Sequence, residues 1–64
     1  MHWEVVTSQT PHRGILYHAR LKNERDQVIV FSPDYSVKEY AYNAINIVRA
    51  YANVPIRETI EQRR

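Results

Sequence analysis

His2, His12 and His18 are the histidines of this chain, and no pair has the spacing that sets two imidazoles and a carboxylate on one helical face. There is no cysteine, which removes thiolate zinc sites, disulfides and a cysteine nucleophile. Ser8, Ser32 and Ser36 lack the strand-turn-helix setting of an activated serine. Asp34 beside Tyr35 has the types of an acid-base pair, but aspartate after proline is first a turn signal. A single glycine, Gly14, cannot build a phosphate-cradling loop. These residues point to no enzyme, no metal and no cofactor. Two binding candidates are left. His18, Arg20 and Lys22 alternate along one segment, and a sheet face with such groups can hold phosphates. Tyr42 lies among polar residues in a helical pattern, where a partner could use it.

The elements that must position these groups fit one domain, residues 1–64. A chain of this length buries only roughly 60% of its unfolded surface, and small domains commonly add a disulfide, a metal or a second subunit. Without cysteine, the weight falls on a second subunit. Nine Lys and Arg against seven Asp and Glu give +2, and Arg63 with Arg64 equal that surplus. Such a balance is weak support for nucleic-acid binding, which usually clusters more positive charge. His2, Trp3 and Glu4 follow Met1, unlike a secretory leader, and no apolar run nears the ~20 residues that span a bilayer. A cytoplasmic protein without membrane contact is the expectation.

Residues 1–7 read as a strand, with Trp3, Val5 and Thr7 on one face. Residues 8–14 read as a loop around Pro11 and Gly14. Residues 15–22 alternate cleanly. Ile15, Tyr17, Ala19 and Leu21 face one way, and Leu16, His18, Arg20 and Lys22 the other. After a charged turn at 23–27, residues 28–32 form a third strand in which Ile29 and Phe31 share a face. Short links predict an antiparallel meander. Ser36 and Glu39 then make a capping box for a helix to about Ala52. Val37, Ala41, Ala44, Ile45, Val48 and Ala52 form its apolar stripe, with Tyr40, Ile47 and Tyr51 beside it. Pro55 blocks the helix, and Val54, Ile56 and Ile60 alternate as a fourth strand would.

The pattern from Arg20 to Ala52 resembles the YegP-like family. Arg20, Leu21, Lys22 and Ile29 fit its first block. Ser32, Tyr35 and Lys38 fit the second, and Asn43, Ile45 and Val48 the third. Trp3 and Glu4 resemble the aromatic-acidic start of its first strand. Arg25 and Asp26 stand where the family has asparagine-glycine, and Ala44 where it has glycine. The resemblance implies an α+β fold, a β-β-β-α-β unit whose antiparallel sheet carries one helix. It further implies a homodimer with exchanged C-terminal strands. It brings no activity and no catalytic residue.

The expectation is therefore a non-catalytic interaction module, an adaptor or inhibitor that binds a macromolecular partner as a homodimer. The alternative is a nucleic-acid-binding module on the basic outer strand face. His18, Arg20, Lys22 and Tyr42 are the candidate partner surface. Tyr40, Ile47, Tyr51, Val54, Ile56 and Ile60 are the candidate dimer contacts.

Overall fold

The protein is described by a computed structural model covering residues 1–48 and 54–62. Strands β1 (His2–Thr10) and β2 (Gly14–Lys22) form a hairpin, with Trp3 opposite Leu21 and Val5 opposite Ala19. Its turn is residues 11–13, tighter than the loop expected at 8–14. Ser8, Gln9 and Thr10 are polar, yet they pair with Leu16, Ile15 and Gly14. Thr10 closes the turn: its Oγ1 accepts from the Arg13 amide at 3.0 Å and donates to the Gly14 carbonyl at 2.7 Å.

Strand β3 (Val28–Phe31) pairs antiparallel with β2. The turn before it is built by Asn23, whose Oδ1 accepts from the amides of Arg25 and Gln27 at 2.9 and 3.0 Å. Asp26 takes φ +63° there, the left-handed region that short polar side chains tolerate. A register shift sets Val30 opposite Leu21 but Val28 opposite Lys22. Val28 and Val30 therefore lie on opposite faces, and the simple alternation expected for this strand is broken at Ile29.

After β3 the chain stays on β2. Ser32 receives the Ala19 amide on Oγ at 2.8 Å, and Tyr35 and Tyr17 exchange backbone hydrogen bonds at 2.6 and 2.8 Å. Helix α1 (Lys38–Val48) follows, its first turn tightened by the Tyr40 amide donating to the Val37 carbonyl. The helix begins two residues after Ser36, and its expected end at Ala52 lies outside the described residues.

Strand β4 (Ile56–Gln62) completes a sheet of order β3-β2-β1-β4. It runs parallel to β1, Trp3 beside Ile56 and Thr7 beside Ile60. The sheet is thus mixed, not antiparallel throughout. The physical reason is the connection: α1 carries the chain across β2 and β1, and a helical crossover delivers a strand in the same sense as the one it left. Trp3, Val5, Ala19, Leu21, Ala41 and Ile45 form the core between sheet and helix, with Val54 and Ile56 packed against it. The resulting architecture is α+β, a four-stranded sheet with one helix on one face.

Candidate functional site

His18, Arg20 and Lys22 lie on the face opposite the helix, in register with Val6, Glu4 and His2. They do not make a basic surface. Glu4, only 6% exposed, accepts from Arg20 Nε at 2.5 Å and has Lys22 Nζ at 3.5 Å and His2 Nε2 at 3.4 Å. Arg20 also reaches Glu61 at 3.6 Å, Lys22 reaches Asp26 at 3.2 Å, and His18 Nδ1 stands 3.6 Å from Asp34. Arg20 and Lys22 are each matched by carboxylates, and His18 has Asp34 beside it. Among the described residues no three His, Asp or Glu side chains converge as metal ligands would.

Glu4 is the hub of this face. Burial alone would push its carboxyl up. The hydrogen bond from Arg20, the His2 imidazole beside it and the charges of Arg20 and Lys22 together outweigh burial and hold it below 4.5. A carboxyl depressed in the folded state stabilises the protein above 4.5, and that contribution is lost as pH falls through its lower folded value. Glu4→Gln is expected to flatten the acid limb of stability against pH, read as urea midpoints at successive pH values below 4.5. An unchanged acid limb would show that Glu4 is not the group responsible.

Tyr42 is committed internally rather than offered to a partner. Its hydroxyl donates to Glu58 Oε2 at 2.6 Å, and Lys38, one helical turn earlier, donates to Oε1 at 2.6 Å. The two residues clasp one carboxylate of β4 from α1. The bond to Glu58, with burial and the negative charge, pushes the Tyr42 phenol up to about 12. The Lys38 bond holds the Glu58 carboxyl below its usual value.

The exposed apolar surface lies at the other edge. Helix α1 packs on β1 and β2 and leaves β3 bare. A helix is ~10 Å wide, and strands repeat every ~4.8 Å, so one helix covers about two strands of four. All of Val28–Phe31 is exposed, Phe31 to 74%, and Ile47 on the helix is 78% exposed. Between them runs an apolar groove of about 240 Å³, lined by Val30, Phe31, Ala44, Ile47 and Val48 with Trp3 within it. On the opposite face Phe31 also borders a second groove, with His18, Arg20 and Asp34.

The expected dimer contacts divide. Tyr40 is exposed and meets Tyr35 edge to face at 6.2 Å, and Ile47 borders the groove. Val54 and Ile56 serve the chain's own core, while Ile60 is exposed at the far end of β4. Tyr51 lies outside the described residues. Sequence reasoning placed neither Glu4 nor the β3 edge among the candidate site residues. Glu4 could have been found by sliding residues 1–7 against 15–22 until opposite charges faced each other.

No helix of the described residues is long and apolar enough to cross a membrane. No protein-family model, curated protein or solved structure matches the chain.

Proposed function

We propose that this chain is a small non-catalytic interaction module that works as a homodimer and engages a macromolecular partner, as an adaptor or inhibitor does. The observation that carries this reading is the apolar β3 edge with Ile47 beside it. Contiguous exposed apolar surface of this kind marks association rather than catalysis. The resemblance to the YegP-like family supports the homodimer. It also supplies a finer form, in which β4 crosses to the second chain and makes there the parallel register it makes here with its own β1.

The charge arrangement favours a protein surface over nucleic acid. A phosphate approaching Arg20 or Lys22 must displace Glu4, Glu61 or Asp26, so few cations remain to release counterions. Light scattering at micromolar concentration is expected to give about twice the 7.6 kDa chain mass. A folded monomer overturns the homodimer. A mobility shift with RNA or DNA that weakens steeply with salt would return the outer face to consideration as a phosphate site.

A further inference from the structure

We propose that β3 is a self-pairing edge: two copies join β3 to β3, antiparallel across a two-fold axis, and form one continuous sheet. This rests on the homodimer reading but sets its seam at β3, in place of the β4 exchange that the family resemblance implies.

The two edges of the sheet differ in kind. β4 carries Arg57, Glu58 and Glu61, and charges on an edge are a device that keeps strands from adding to it. β3 reads VIVF, with no charge and no proline. It is the last strand on its side, so half of its backbone groups face outward without a ladder. A two-fold axis sets this strand against itself, which satisfies those groups in both copies at once.

Size agrees with this occupant. Val28, Ile29, Val30, Phe31 and Ile47 are each 45–78% exposed. At ~150–250 Å² for a large side chain, they leave on the order of 500 Å² open per chain. Two copies offer up to ~1,000 Å², the lower bound for a specific interface. The pairing would also lay partner side chains over the apolar groove that the single helix leaves uncovered.

The test is the double variant Ile29→Lys with Phe31→Lys. Both residues are exposed, so the fold is retained, as circular dichroism verifies. The dimer dissociation constant is expected to rise at least 100-fold by sedimentation. A second measurement uses the absence of cysteine. Under mild oxidation Ile29→Cys, near the middle of β3, should form a covalent dimer, whereas Gln62→Cys on the β4 edge should not. If the double variant stays dimeric, or residue 29 fails to cross-link, β3 pairing is overturned while the homodimer stands with its seam elsewhere. If the unsubstituted chain is monomeric, both readings fall together.

Discussion

A chain ending at residue 53 is expected to be unfolded. β4 is the parallel neighbour of β1 along seven residues, and its loss strips one whole side of an inner strand. Val54 and Ile56 leave the core edge, at about 1–2 kcal/mol each for half-buried apolar side chains. The seven-residue ladder adds about 0.5–1.5 kcal/mol for each hydrogen bond lost. Glu58 no longer holds Lys38 and Tyr42, so the helix loses its polar link to β4. A domain of this size has on the order of 3–10 kcal/mol of stability in total, which these losses exhaust. Far-ultraviolet circular dichroism of the truncated chain should show neither helix nor sheet. A truncation that remains folded would mean that the hairpin, β3 and α1 form a complete core without β4.

Ile45→Ala is the point substitution expected to cost most. Ile45 is fully buried at the centre of the core, between the helix and Trp3, Val5, Ala19 and Leu21 on the sheet. Removing its three outer carbons leaves a cavity into which the surrounding core relaxes only in part, at about 2–5 kcal/mol. With a urea slope of about 1 kcal/mol per molar for a small protein, the midpoint falls by ~2 M or the transition disappears. Asn43→Ala, exposed on the same helix, should stay within about 0.5 kcal/mol of the unsubstituted chain. Both are compared at one protein concentration, since the stability of any chain that associates depends on it. Equal midpoints for the two variants would place Ile45 outside the core.

The elements were readable wherever one face differs in character from the other. In β2, Ala19 and Leu21 are buried against the helix as expected, but at the start of the strand Ile15 is exposed while Leu16 and His18, on the other face, are buried. Ala41 and Ile45 fall at helical spacing and are the fully buried residues of α1. The direction of β4 was not readable, because seven residues with alternating Ile56 and Ile60 serve a parallel or an antiparallel ladder alike. The crossover decides, and it belongs to the helix. The charge of the outer face was misleading for a related reason. β2 shows only its cations. Their carboxylates come from β1, from the turn at Asp26, from Asp34 and from β4, and only the sheet register brings them together. VIVF reads the same in a buried strand as at an edge. What leaves it bare is the width of one helix against four strands.

The parallel pairing of β1 with β4 also sets how this chain must fold. Trp3 and Ile56 lie about fifty residues apart in sequence, yet they are neighbours in the sheet. The β1–β2 hairpin closes over a three-residue turn on the microsecond scale, whereas the final ladder waits for a loop nearly as long as the molecule. Contacts so distant in sequence slow the last step toward milliseconds. At ~5–20 residues per second of synthesis, the β1 edge stays open for several seconds, the time needed to make the residues that separate it from β4. The nascent chain therefore carries its inner strand as an exposed edge until β4 has been made, an interval in which association with other chains competes with folding.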